Sequence, residues 1–391
     1  MASFDETFNS LRHRFEENKQ PIPPVTLGAI SKNGSFRYTK AFEKESDDAE
    51  SNGVHWLASS TKLVTTIAVM QCVERGLLNL NDDIAKVLPE WKDPKILTGF
   101  NEENEALFRP ATKAITLRQL LTHSSGMAYT FMDPLLTRHE ELQGKPLPGP
   151  PTSVAEKFPH HFLVFEPGER WMYSPGIDWA GVLVERITSM KLGEYMQRHI
   201  FDVVSANDAT FHPDQREETR ARKAKVWERV GERLQEQKQP YWPDRVEADF
   251  GGGGLFATVD DLLKIYQGVL TGELLRPESV KEMFQPQLET TTGLDPAEYS
   301  LPSRNAIWNT VPDDVPVSFG IGGLINLTAV PKRRGVNSLT WSGMPNCYWW
   351  IDLSNGVAGV YLSQLVPTGD EKAIELLTEF EKFVYSSLDK S

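Results

Sequence analysis

Residues His55–Gly76 read HWLASSTKLVTTIAVMQCVERG, and the fold turns on how that stretch is placed. A short β-rich run, HWLAS, leads into a long apolar one. From Leu63 to Val73 the residues are apolar almost all round, so the segment is expected to be a buried helix rather than an amphipathic surface one. Ser59 and Lys62 stand at its front. Three residues apart on a helix, their side chains share a face. In the first turn, unpaired amides and the helix dipole favour negative charge, which suits a serine oxygen losing its proton. Burial disfavours the ammonium form of a lysine, so a buried Lys62 could accept that proton. The same pattern would also arise from a serine N-cap followed by a snorkelling lysine. A second Ser-x-x-Lys, Ser387–Lys390, sits in the polar C-terminal tail with no buried helix behind it. Context, not spacing, separates the two copies.

Working outward, VTLGAISKNGSFRYTKAFE places two β-rich runs around Asn33-Gly34, a hairpin signal. Near the other end, SLTWSGMP reads as a strand, and NCYWWIDLSNGVAGVYLSQL as two more around Asn355-Gly356. Trp349 and Trp350 are adjacent on one strand and must face opposite sides. Both chain ends carry amphipathic helices: one with Phe4, Phe8, Leu11 and Phe15, the other with Ile374, Leu377, Phe380 and Val384. The middle is helix-rich and punctuated by proline. There, ITLRQLLTHSSG has a capping box at Thr116 and Gln119 and a glycine, Gly126, beyond its end. The expected fold class is α/β (α+β). An antiparallel sheet is built from both chain ends (1–70 and 241–391), flanked by terminal helices, with a mostly helical domain inserted over 71–240. A ligand cleft is expected between the two.

Composition narrows the function. The chain has 391 residues and a formal net charge of −13, which argues against nucleic-acid binding because phosphates are repelled. Its two cysteines, Cys72 and Cys347, exclude a disulfide scaffold and fit a reducing compartment. The charged N-terminus lacks the apolar core of a signal peptide, and no apolar run is long enough to span a membrane, so a cytoplasmic location is expected. Residues 216–238 depart from the average, with eight Lys or Arg against five Glu. They are expected to form a solvated surface helix, or a docking surface for an acidic acyl carrier protein.

Other chemistries lack their motifs. There is no Gly-x-Ser-x-Gly elbow, no His-Glu-x-x-His, and FGGGGLF (250–256) has no Lys-Ser/Thr for a phosphate loop. His160-His161 alone is a weak metal pair, and no metal or organic cofactor is implied. A Ser-Lys pair needs a proton relay and oxyanion donors. Tyr173, before the turn Ser174-Pro175-Gly176, is the candidate relay, though a capped core tyrosine would read the same. TWSGMP (Thr340 to Pro345) ends a strand in a glycine, which allows close approach of an acyl carbonyl or simply a bulged edge.

Taken in order, Ser59-x-x-Lys62, ITLRQLLTHSSGM, Tyr173, GGGGLFAT and TWSG resemble the serine β-lactamase-like superfamily of class C β-lactamases, DD-peptidases and esterases, over about residues 20–385. LASSTKLVTTIAVMQCVERGL, DWAG and NSLTWSGMPNCYWWID are similar, more narrowly, to the fungal lovastatin acyltransferases, which form simvastatin by transesterification. The resemblance implies a β-lactamase/transpeptidase-like fold and a ping-pong acyl transfer. Ser59 would be the nucleophile, Lys62 its general base and Tyr173 the proton shuttle. The amides of Ser59 and Met344 would form the oxyanion hole. Trp341, Ser342, Gly343 and Tyr129 would line the substrate site. The expected partners are a small-molecule acyl donor and an alcohol acceptor. Where penicillin-binding relatives have Tyr-x-Asn and Lys-Thr-Gly or His-x-Gly, this chain has Pro175 and Trp341. The cation that would hold a β-lactam or peptide carboxylate is missing from that strand, which favours an apolar acyl chain or ring system as ligand. If an alcohol resolves the acyl-serine the enzyme is an acyltransferase; if water does, a carboxylesterase or thioesterase.

Overall fold

A computed structural model describes residues 4–42, 52–144, 151–243 and 245–388. Its centre is a seven-stranded sheet in the order Arg37–Phe42, Val25–Ser31, Val357–Leu362, Cys347–Asp352, Leu339–Gly343, Gly323–Asn326, Val317–Gly320. Every neighbouring pair is antiparallel. The sheet is therefore made from both ends of the chain, and both expected hairpins form. Gly34 and Gly356 supply the positive φ that the two turns need, at +71° and +60°.

The sheet's two faces bury different partners. On one, the Asp5–Glu17 and Glu371–Leu388 helices press Phe4, Phe8, Phe15, Leu377 and Phe380 onto Trp350, Tyr348 and Tyr361. Phe380 is fully buried, so its truncation to alanine would cost about 3–5 kcal/mol. On the other, Trp349, Ile351 and Val360 join the large core around the Thr61–Glu74 and Val259–Thr271 helices. Trp349 and Trp350 thus point to opposite faces. Gly359 is opposite Trp350 in the ladder, and a Cβ there would lie 2.1 Å from the indole, so the ring takes the space a side chain would fill.

The Thr61–Glu74 helix is buried from Thr61 through Cys72. It packs against the Gly176–Thr188 helix. Thr116 and Gln119 make the capping box of a short helix, Leu117–Leu121. That helix stops well before Gly126, whose φ of +90° belongs to the following loop.

Residues 216–238 do not form the expected helix. Only Glu217–Ala221 is helical; Trp227–Val230 and Arg233–Glu236 pair as a hairpin, and the first of these strands runs parallel to Leu365–Val366. The cause is readable: Gly231, with φ +60°, opens a two-residue turn between Val230 and Arg233. A glycine at that place is a hairpin signal stronger than the charge pattern. A further hairpin, Lys95–Phe100 with Ala106–Pro110, interrupts the helix-rich middle.

Candidate active site

Ser59 sits in a 3-10 turn, Ala58–Ser60, immediately ahead of the buried helix rather than within its first α-turn. Ala58 holds a left-handed backbone with φ +44°, a conformation that disfavours a side chain by roughly 1–2 kcal/mol. The result is that Ala58 and Ser60 are buried while Ser59 is half-buried and faces a cavity. Lys62, one turn on, is 1% exposed.

The lysine amine has three oxygens around it. Its Nζ is 3.2 Å from Ser59 Oγ, 3.2 Å from the Tyr129 hydroxyl and 2.7 Å from the Gly252 carbonyl. It also lies over the rings of Tyr173 and Tyr129, 4.9 and 5.5 Å from their centroids. The Tyr173 hydroxyl donates to Ser59 Oγ at 2.6 Å. Lys62 and Tyr173, from two separate segments, thus converge on the Ser59 hydroxyl.

A second layer holds that trio. Asp178, 2% exposed, accepts from the Gly252 amide at 2.9 Å and from the Tyr129 hydroxyl at 3.3 Å. Burial first, then the Asp178 carboxylate and Tyr173, push the Tyr129 phenol well above its usual pKa. Tyr129 therefore stays protonated, donates to Asp178, and offers its oxygen to Lys62. The glycine run 250–254 is stitched to this layer from several sides. Thr65 Oγ1 donates to the Gly251 carbonyl at 2.7 Å, and Trp56 Nε1 to the Gly253 carbonyl at 2.7 Å. A Cβ at Gly252 would lie 2.0 Å from Asp178 Oδ2, so only glycine lets the carboxylate and the lysine meet this backbone.

His123 holds Tyr173 from behind. Its carbonyl accepts from the Met172 amide at 2.8 Å and its Nδ1 bonds Ser174 Oγ at 3.0 Å. The residues on either side of Tyr173 are thereby fixed, and the imidazole meets the Tyr173 ring edge-on at 4.9 Å. His123 is 1% exposed; burial, and secondarily the Lys62 charge, hold its pKa well below the ordinary histidine value, so it is neutral.

The other expected site residues fall around the cavity, whose volume is about 860 Å³. Tyr129, Trp341, Ser342 and Met344 line it. Trp341 packs against Tyr173 and His123, with ring centroids 5.2 and 6.2 Å away. Ser342 turns its hydroxyl to the Ala306 carbonyl at 2.6 Å. Gly343 is not itself on the wall. Its backbone backs onto the nucleophile turn, where a Cβ would be 2.1 Å from the Leu57 carbonyl. The amide of Met344 meets no acceptor among the described residues. Asp178, His123 and Gly252 were not singled out from the sequence. The one available signal was an acid, Asp178, standing among Ile177, Trp179 and Ala180 in the first turn of a helix. His160 and His161 diverge: His160 pairs with Glu140 at 3.3 Å, while His161 meets the edges of Trp91 and Trp179.

Known proteins share this fold. The β-lactamase family model matches residues 26–380. A lovastatin esterase of Penicillium rubens is 36% identical over 93% of this chain and 94% of its own. A monacolin J acid methylbutanoyltransferase of Aspergillus terreus is 35% identical over 93% of this chain and 92% of its own. The unliganded simvastatin synthase of Aspergillus terreus superposes with a TM-score of 0.87 at 32% identity, covering 99% of both chains. The fold, the order of its elements and these relatives lead to one conclusion: the chain belongs to the β-lactamase family, in the group that holds these acyltransferases and esterases.

Proposed function

We propose that this protein moves an acyl group from a thioester or ester donor to a hydroxyl of an apolar secondary metabolite, through an acyl-Ser59 intermediate. The observation that carries the reading is the convergence of Lys62 Nζ and the Tyr173 hydroxyl on Ser59 Oγ at 3.2 and 2.6 Å, on the wall of a large cavity.

The chemistry follows from the valences. With two N–H groups given to the Gly252 carbonyl and the Tyr129 oxygen, an unprotonated Lys62 has its lone pair left for Ser59. Ser59 gives up its proton to Lys62, with Tyr173 bridging, and Oγ bonds to the donor carbonyl carbon. The tetrahedral oxyanion rests between the amides of Ser59 and Met344; such preorganised donors supply a large share of the rate in acyl transfer. The carbon–sulfur or carbon–oxygen bond breaks, and the leaving group takes the proton through Tyr173. The acceptor hydroxyl then loses its proton to the same base and attacks the acyl-serine. Oγ departs and recovers a proton.

The rim favours apolar ligands. Phe131 is 74% exposed at the mouth and stacks on Tyr129 with centroids 5.5 Å apart, and Trp56, Phe158 and Trp242 share the wall. An acceptor of the monacolin J type, after which relatives are named, suits such a wall. The donor we assign is a small molecule. In the basic segment 216–238, Arg222, Lys225 and Arg229 already pair with Asp208, Glu236 and Asp370, which leaves fewer cations to face an acidic carrier protein. Hydrolysis uses the same atoms with water as the second nucleophile, and the likeness to a lovastatin esterase keeps that reading in view.

Intact-protein mass spectrometry after exposure to a short acyl thioester tests the proposal. An adduct on Ser59 that an alcohol discharges faster than water supports transfer. Rapid discharge in plain buffer assigns hydrolysis instead. Absence of any adduct overturns both.

A further inference from the structure

Ser363–Asp370 joins the strand Val357–Leu362 to the helix Glu371–Leu388, and it takes no part in the proton path around Ser59. It is bonded along the turn Met344–Asn346, which connects the strands Leu339–Gly343 and Cys347–Asp352. Thr368 lines the same cavity as Ser59, and its hydroxyl donates to the Met344 carbonyl at 2.7 Å. The Leu365 amide donates to the Pro345 carbonyl at 2.9 Å, and the Ser363 hydroxyl to the Asn346 carbonyl at 3.2 Å. Every carbonyl of the turn is thus held by one short segment.

Asn346 is the latch between the two. It is fully buried, and both ends of its amide are used. Its Nδ2 donates to the Leu365 and Pro367 carbonyls at 2.7 and 2.8 Å. Its Oδ1 accepts from the Tyr348 hydroxyl at 2.6 Å and from the Gly369 and Asp370 amides at 3.0 and 2.9 Å. Its backbone is left-handed, φ +51°, which asparagine adopts more readily than most residues. Gln364, 1% exposed, reaches the other way: its Nε2 donates at 2.8 Å to the carbonyl of Trp56, on the strand that leads into the nucleophile turn. One segment therefore ties the turn at Met344 to the chain that carries Ser59.

These contacts set a direction. A residue has only two soft backbone dihedrals. Before Met344, the pairing of Gly343 with Cys347 fixes the strand; after it, Thr368 and Leu365 hold two successive carbonyls. The Met344 amide is aimed by its neighbours rather than left to turn. Resting on the acyl-Ser59 reading with Met344 as an oxyanion donor, we propose that Thr368 is a positioning residue for acyl transfer, its hydroxyl holding the Met344 peptide so that the amide faces the developing oxyanion. In that step Ser59 Oγ bonds the donor's carbonyl carbon and the C=O π pair moves onto oxygen. The pair returns as the carbon–sulfur bond breaks, and the thiol leaves with the serine's proton. A donor already in place when the charge appears stabilises it without having to reorient.

Thr368→Val tests this in the full chain, because valine keeps the branched shape and loses the donor. The probe is the butanoyl thioester of N-acetylcysteamine, isotopically labelled at its carbonyl carbon. Stopped-flow acylation should show a saturating rate lowered about 10–100-fold with the half-saturation concentration little changed, since a misaimed donor costs less than a deleted one. Isotope-edited infrared spectra of the acyl-Ser59 adduct should show the carbonyl stretch moved to higher wavenumber, because a weaker hydrogen bond leaves the C=O more double-bonded. Thr368→Ser, which keeps the donor, should restore most of both. Where thermal melting shows that Thr368→Val does not fold, Thr368→Ala takes its place. Parent-like acylation in a folded variant without the hydroxyl overturns the proposal, as does a slowed rate with an unmoved stretch. A change confined to the half-saturation concentration also overturns it and makes Thr368 a ligand contact. Absence of an adduct on the parent chain overturns the acyl-Ser59 reading itself, an outcome distinct from any of these.

Discussion

Two clusters of buried charge in this molecule use the same ingredients to opposite ends. Around Glu381, both carboxylate oxygens are taken. Glu381 is 0% and Arg334 1% exposed; the carboxylate takes Arg334 Nη2 at 2.5 Å and Nε at 3.2 Å, with the Thr310 hydroxyl on the same oxygen and Arg333 at 3.5 Å. Arg333 gives its remaining reach to the Thr310 carbonyl at 2.9 Å. Around Lys62, the network runs from Asp178 through Tyr129 and the lysine to Ser59, and there it opens onto the cavity. A closed ion pair ties the C-terminal helix to the loop beside the sheet, with both carboxylate oxygens engaged. An open one ends in a hydroxyl with two proton-handling groups on it. Burial of charge alone does not distinguish the two; where the last hydrogen bond points does.

The sharpest way to break that contrast is at its open end. Ser59→Ala should abolish adduct formation, and Lys62→Ala should lower turnover by about 10⁴-fold or more, since nucleophile and base act as one unit. Ser59→Ala should leave the melting transition nearly in place, because the lost hydroxyl is half-buried. Adduct formation on Ser59→Ala would mean that this cluster, too, is only structural. Tyr173→Phe comes next. It deletes the 2.6 Å contact to Ser59 and should cost about 10²–10⁴-fold in kcat/KM. Near-full activity would remove Tyr173 from the proton path.

How much of this was legible in the sequence depends on how far apart the partners lie. The sheet strands at both ends, the buried helix, and Ser59 with Lys62 declare themselves through local spacing and turn residues. Tyr173 was found because it precedes a Ser-Pro-Gly turn. Asp178, Gly252 and His123 gain their roles only through contacts with remote segments: Lys62 meets Gly252 across 190 positions, and Gly252 meets Asp178 across 74. No periodicity encodes such a meeting. The 227–236 hairpin was misread for a different reason. Its dense charges suggested a solvated helix, while the one residue that set the backbone, Gly231, was outweighed.

The closed cluster should respond in the opposite sense to the open one. Glu381→Leu strands Arg334 and Arg333 without a counter-ion in the interior. Removing one partner of a buried pair costs about 3–5 kcal/mol. Urea denaturation should show a midpoint lowered to match, while activity per folded molecule stays at the parent level. A variant as stable as the parent would show that the pair is neutral in stability. A variant that folds but loses turnover would show that the two clusters are coupled.

The smallest expected effect tests the support behind Tyr173. His123 touches no substrate in the reading above; it fixes Met172 and Ser174 and braces the Tyr173 ring, so it is a positioning residue. His123→Ala should loosen the phenol by a fraction of an ångström to an ångström and lower kcat by roughly 10–100-fold, with KM little changed. His123→Asn should recover most of that. Asparagine tolerates the left-handed backbone that His123 adopts, φ +53°, and can place a hydrogen-bonding atom near the Nδ1 position for Ser174. Because His123 is neutral, neither variant should change the shape of the pH–rate profile, only its height. If an ionisation disappeared from the profile of His123→Ala, the imidazole would be carrying protons, and the open cluster would extend one residue deeper than the hydrogen bonds around Ser59 indicate.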